Sequence, residues 1–349
     1  MIFIMVEGLT DQRIKSAYTP NADGLASSGV KTSAIGVLPA NSASFLASLF
    51  AGADPSIHGI TAVGQAPKIT LLPETVGSYG RNCVFITPND NILNGMFDRK
   101  GANSGIRIAG VKDGGNEALI KKAIEEFNRD HPFLFGIRLL NIEKEAERSG
   151  RMNNIPGVVN TVDEQIGRLL TALRSTGAYE ESLIVLVGGH GKEELTGPVI
   201  MSGPGLKSGT QIPPVKITDV APTIALLAGF QISPESTGMV LWNALRAGTG
   251  FLEENLLLKR VTDLSEENIK NIGQIYSLIE DKRMVDVEKE EVAAEKTKMD
   301  QTIEGKDREI NFLKWQIRFF KLLIPVIVIL FLAGYVVEYH YLRKRFLMF

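Results

Sequence analysis

Along the first 250 or so residues, short continuous apolar runs alternate with stretches whose apolar positions recur at helical spacing. Ile2–Val6 (IFIMV), residues 133–140 and residues 183–187 are rich in β-branched, leucine and aromatic side chains, as strands buried on both faces are. Residues 118–127 and 162–173 carry the three-and-four spacing of amphipathic helices instead. Alternating segments of these two kinds predict an α/β domain with a largely parallel sheet and helices on both faces. Ligands of such sheets bind beyond the carboxyl ends of the strands. That rule directs attention to Glu7, to residues 141–147 and to residues 188–190.

The pattern changes toward the C-terminus. Residues 322–337 (LLIPVIVILFLAGYVV) form a run of 16 without a charge, followed by Glu338 and the basic Arg343, Lys344 and Arg345. A membrane-crossing helix needs about 20 apolar residues. Trp315, Phe319 and Phe320 on one side and Tyr339 and Tyr341 on the other extend the run at interfacial depth, where aromatic rings are favoured. The alternative is a buried helix of a globular domain. Pro325 falls near the start of the span, where a helix tolerates it.

Before this span, Val285, Val292, Met299 and Leu313 share one register of a heptad repeat, interrupted by Lys306. Ile303, Ile310 and Ile317 share the matching one, whose earlier places are Lys289 and Lys296. Such a seam suggests a stalk that pairs with a second copy through Ile303, Ile310, Leu313 and Ile317; a single solvated helix reads the same residues, and Gly305 weakens either. The expected organisation is a domain over 1–250, a helical linker over 251–284, a stalk over 285–317, an anchor over 318–341 and a basic tail over 342–349. The chain enters its first apolar run directly after Met1, without a basic leader. Lys306, Arg308, Lys314, Arg318 and Lys321 precede the span, against three positive charges after it. The expectation from both features is a globular domain in the cytoplasm on a single-pass C-terminal anchor.

Composition narrows the chemistry. The 38 basic and 40 acidic residues leave no excess for a phosphate backbone, so nucleic acid is not an expected partner. Cys83 is the single cysteine, which excludes an internal disulfide and a cysteine-held zinc. Any metal must be held by carboxylates and by the four histidines, His58, His131, His190 and His340.

Residues 19–30 (TPNADGLASSGV), 47–52 (ASLFAG) leading to His58-Gly59-Ile60, 202–205 (SGPG) and 219–223 (DVAPT) resemble the alkaline phosphatase superfamily in their order and spacing. The similarity is to the nucleotide pyrophosphatase/phosphodiesterase and independent phosphoglycerate mutase branch, over roughly residues 1–245. It implies an alkaline phosphatase-like α/β fold and a phosphoester or phosphodiester hydrolase. In such an enzyme two divalent metals, usually zinc, flank a serine or threonine nucleophile that attacks phosphorus.

Aligned on this resemblance, the nucleophile falls on Ser42, ahead of a helix starting near Ser44, where backbone donors would favour a phosphate. Helix capping is the other role open to Ser42. The metal positions depart from the family pattern. Glu7 replaces an aspartate, Gly189 stands where an aspartate belongs beside the retained His190, and Glu143 and Glu147 take an aspartate and a histidine position. The last histidine falls near Thr196 or Gly197, and a phosphate-holding asparagine falls at Phe45. A full two-zinc site is not expected. One divalent metal on Glu7, His190 and Ser42, with Glu143 and Glu147 nearby, would suit Mg, Mn or Ca better than Zn. The run at 143–148 (EKEAER) reads equally as a solvated helix face. Two functions remain open: a membrane-anchored, metal-dependent hydrolase acting on a small phosphorylated ligand, or a catalytically silent member that binds a ligand or partner at a membrane.

Overall fold

The computed structural model describes residues 1–97, 105–112, 114–189, 195–248 and 253–346. Among these residues nine strands form one sheet: β1 Ile2–Val6, β2 Val30–Ile35, β3 Cys83–Pro88, β4 Ile106–Val111, β5 Leu134–Leu139, β6 Ile184–Gly188, β7 Thr196–Ser202, β8 Thr210–Gln211 and β9 Val215–Lys216. Their order is β4-β3-β5-β1-β6-β7-β2-β8, with β9 also pairing with β2. All pairings are parallel except those of β7, which runs antiparallel to β6 and to β2. The sheet is thus mixed, and connection length explains why. Seven residues separate β6 from β7, whereas a parallel crossover needs about a dozen.

Both faces of the sheet are covered. On β1, Phe3 and Met5 pack into one core, with the Ser42–Ala51 and Val220–Ala228 helices. Ile2, Ile4 and Val6 pack into the other, with the Gly115–Asp130 and Ile155–Ser175 helices. This is the alternation of a pleated strand, and every β1 residue is buried because each face has its own layer. Phe50 anchors the Ser42–Ala51 helix to the sheet, with its ring 5.4 Å from Phe3 and 5.6 Å from Phe85 in edge-on geometry. Cys83 is buried, and desolvation pushes its thiol up to about 12, so it stays an inert thiol.

Two segments of the sequence resemblance turn out to be fastenings. The Pro20–Ser27 helix has no cap from Thr19; Asp163, from a distant helix, accepts from the backbone N–H of Asn21 at 3.0 Å and of Ala22 at 2.9 Å. A buried carboxylate there satisfies orphan donors and complements the helix dipole. Asp219 accepts from Met239 N–H at 2.8 Å, and Thr223 Oγ1 accepts from Leu241 N–H at 2.9 Å, which pins the chain after the last strand back onto the domain. Burial pushes the Asp219 carboxyl above its ordinary range, against these bonds and the Arg260 guanidinium at 3.5 Å.

Arg260, the buried Leu256 and the bond from Trp242 Nε1 to Asp263 at 3.0 Å carry the first compact unit to Glu266, past the expected boundary at 250. The second unit is Glu267–Phe349. A single helix, Glu253–Phe346, includes residues 253–284 of the expected linker and all of the expected stalk and anchor, with Pro325 inside it. One stretch of it is long and apolar enough to cross a membrane, and none of that stretch is buried.

Candidate functional site

At the carboxyl end of β1 the chain turns through Gly8, whose positive φ of 74° is a glycine conformation. Glu7 precedes this turn and is buried among polar partners. The Ser42–Ala51 helix points its first residue at the same place, and Ser42 Oγ donates to Glu7 Oε2 at 2.5 Å. Ser42 is therefore the first helical residue, two positions earlier than the start expected near Ser44. The capping role goes to Asn41 instead: its backbone is extended and its side chain accepts from Ser44 N–H at 2.9 Å. Ser42 is thereby left free for Glu7.

The other oxygen of Glu7 is engaged by a residue absent from the expected site. Arg138, on β5, pairs in register with Met5 of β1 and so shares its sheet face. Its Nη1 donates to Glu7 Oε1 at 2.9 Å, its Nε to Thr87 Oγ1 at 3.0 Å, and its Nη2 pairs with Asp90 just past β3. The guanidinium is buried, with three partners for its fork of donors. One cation is thus shared by two carboxylates.

Glu143 lies close to the Gly8 turn, but Arg13 holds it. Arg13 Nη2 is 2.7 Å from Glu143 Oε1, and Arg13 Nη1 donates to Gly8 O at 2.7 Å. Glu147 is exposed, and Glu145, between them, is buried against Arg148 and the backbone N–H of Asn116. The run at 143–148 is therefore not one solvated face. Gly189 donates from its N–H to Val6 O at 2.9 Å, and a Cβ added there would sit 3.1 Å from Glu7 Cα. The position that resemblance gives to an aspartate is thus pressed against the β1 backbone. His190 lies outside the described residues.

Among the described residues, two of the carboxylates that the resemblance gives to a metal are already engaged by cations. Glu7 and Glu143 each face an arginine, whose positive charge opposes the binding of a cation beside it. Among the described residues no group of three or more His, Cys, Asp or Glu is placed to hold a metal ion. His58 is also engaged elsewhere: its Nδ1 accepts from Ile60 N–H at 3.1 Å and its Nε2 meets Ser48 Oγ at 2.9 Å.

Burial lowers the His58 imidazole from 6.5 to about 4. The folded value lies below the unfolded one, so stability is fully present above pH 6.5 and is lost as pH falls toward 4. The expected loss is on the order of 3 kcal/mol. Urea midpoints between pH 7 and pH 4.5 should fall more steeply for the native protein than for a His58→Gln variant; parallel curves would show that His58 takes no part.

Arg138, Asp90, Thr87 and Arg13 were not among the residues expected from sequence. Arg138 had a legible signal, a lone charge near the end of an apolar strand (LFGIRL), since an unpaired cation would not be tolerated there. Asp90 and Thr87 had none, because nothing local ties the end of β3 to that of β5.

No protein-family model and no curated protein matches the sequence. Solved structures do match. Human ectonucleotide pyrophosphatase/phosphodiesterase 5 is similar with a TM-score of 0.57 at 11% identity, over 71% of this chain and 100% of that one. The phosphonate monoester hydrolase of Agrobacterium radiobacter gives 0.55 at 15% identity, over 72% and 78%. A 2-O GAG sulfatase gives 0.53 at 17% identity, over 70% and 74%.

Proposed function

Given that the chain has an alkaline phosphatase-like fold, we propose that it is a membrane-tethered binding or scaffold protein, silent in metal-dependent hydrolysis of phosphoesters. One observation carries this reading: both oxygens of Glu7 are taken, one by the Ser42 hydroxyl and the other by the Arg138 guanidinium. Arg138 supplies the positive charge that a cation would otherwise bring, in a form that cannot bind a substrate oxygen as an inner-sphere ligand. A second reading, a hydrolase with Ser42 as nucleophile, is favoured by the same Ser42–Glu7 contact, which is that of a nucleophile with an adjacent base.

Purified protein incubated with a chromogenic phosphate monoester, phosphodiester, phosphonate monoester and sulfate ester, with Mg, Mn or Zn added in turn, separates the two readings. No turnover above that of a Ser42→Ala variant is expected with any metal. Turnover that disappears in Ser42→Ala would establish the hydrolase.

The tether itself rests on an exposed apolar stretch of the C-terminal helix that is long enough to span a bilayer. With the larger count of positive charges on the N-terminal side of the span, the globular unit lies on the cytoplasmic side. Protease added to intact cells should spare it and digest it after lysis; digestion before lysis would reverse the orientation.

A further inference from the structure

Within the second unit the long helix exposes a regular apolar stripe. Ile275, Ile303, Ile310 and Ile317 recur at heptad spacing, and Leu278, Val285, Val292, Met299, Leu313 and Phe320 occupy the register three residues on; all are roughly half exposed or more. Isoleucine in the first register, as a, and Leu278 and Leu313 in the second, as d, are the choices of two-stranded parallel coiled coils. The isoleucine register is broken by Lys282, Lys289 and Lys296, and the other by Lys306.

These lysines are not random interruptions. In a parallel, in-register pair an a side chain packs beside the partner's preceding g residue, and a d side chain beside the partner's following e residue. The g residues facing Lys282, Lys289 and Lys296 are Asp281, Glu288 and Glu295, and the e residue facing Lys306 is Asp307. Every seam lysine therefore meets an acid of the second strand. Acids also lie across the seam from one another, Asp281 from Asp286 and Glu295 from Asp300, and the lysines are the cations that separate them. Nearer the apolar span, Glu309 at g faces Lys314 at the next e, an attractive pair of the usual kind.

We infer that residues 275–320 form a parallel, in-register coiled coil with a second copy of this chain, with the seam lysines setting its register through Asp281, Glu288, Glu295 and Asp307. The inference goes beyond the proposed function and holds whether or not the domain is an enzyme. The membrane reading adds only that both copies enter the bilayer from the same end, which excludes antiparallel pairing.

Disulfide trapping of the full chain in membranes tests it, since the native Cys83 is buried and does not cross-link. Mild oxidation should trap dimers of both Val285→Cys and Ile303→Cys, with about tenfold less from Arg308→Cys on the outer face of the helix. Trapping at Arg308→Cys equal to that at the seam would overturn the pairing, as would no trapping at either seam position. Trapping at only one of the two would overturn the in-register parallel arrangement.

Charge exchange tests the lysines, in an Ile303→Cys background. Chains carrying Lys289→Glu with Lys296→Glu, or Glu288→Lys with Glu295→Lys, should each dimerise about tenfold more weakly alone. Mixed together they should cross-link preferentially as heterodimers, because each acid again faces a lysine. Unchanged homodimers, or a random mixture, would sink the register assignment.

Discussion

Replacing Arg138 by alanine is expected to destabilise the globular unit by about 3 to 5 kcal/mol, the usual cost of removing one partner from a buried ion pair. The guanidinium is the shared counter-charge of Glu7 and Asp90, and its loss leaves Glu7 buried beside a serine with no cation. The effect should be electrostatic rather than a simple loss of packing. Accordingly, Arg138→Met combined with Glu7→Gln and Asp90→Asn, which removes all the charges while keeping the volume, should recover most of the stability. The Arg138→Ala variant alone should also be stabilised by Mg or Mn, since two carboxylates are then released to an added cation, while the native protein should be indifferent to either metal. Urea denaturation of the three proteins, with and without metal, measures all of this. If Arg138→Ala were as stable as the native protein, or if the native protein itself were strongly stabilised by metal, the guanidinium would not be the resident cation of the site and the reading of a silent domain would fall with it.

The second large effect is expected at Phe50. This ring is fully buried and lies between the Ser42–Ala51 helix and the sheet, touching Phe3 on β1 and Phe85 on β3 edge-on, with Phe97 at 6.2 Å. Phe50→Ala removes a large side chain from a two-sided contact that backbone movement cannot close, at a cost of about 3 to 5 kcal/mol. Phe50→Leu should cost appreciably less because most of the volume remains. The helix that Phe50 clamps is the one presenting Ser42 to Glu7. Loosening it should therefore also raise the reactivity of the Ser42 region in hydrogen exchange, more than in the Ile155–Ser175 helix on the opposite face of the sheet. Equal exposure of both helices would mean that the two cores unfold together and that Phe50 has no local hold on the site.

The residues at 19–30 and 219–223 carry the fold correctly, and the structure gives the reason: Asn21 and Ala22 present the backbone donors that Asp163 caps, and Asp219 and Thr223 tie down residues 239–241. These are structural roles, and none of them involves Ser42 or Glu7. Such segments therefore identify the architecture without testifying to the chemistry, which rests on the residues where this chain departs from the pattern.

By itself the sequence determined the class of the fold. The apolar run Ile2–Val6 reads as a central strand because both of its faces are buried, and the long uncharged stretch near the C-terminus stands apart by composition alone. It also placed Ser42 and Glu7 as candidates, and the structure brings their side chains into contact. Only the tertiary structure decided what surrounds them. Arg138 reaches Glu7 because β5 lies beside β1 in register, and reaches Asp90 because β3 lies on the other side of β5. Strand order and register are set by pairing between segments far apart in the chain, so no local pattern discloses which charge will stand next to which. For the same reason the antiparallel β7, the capture of Glu143 by Arg13 and the capping of one helix by Asp163 from another became visible only once the sheet was assembled.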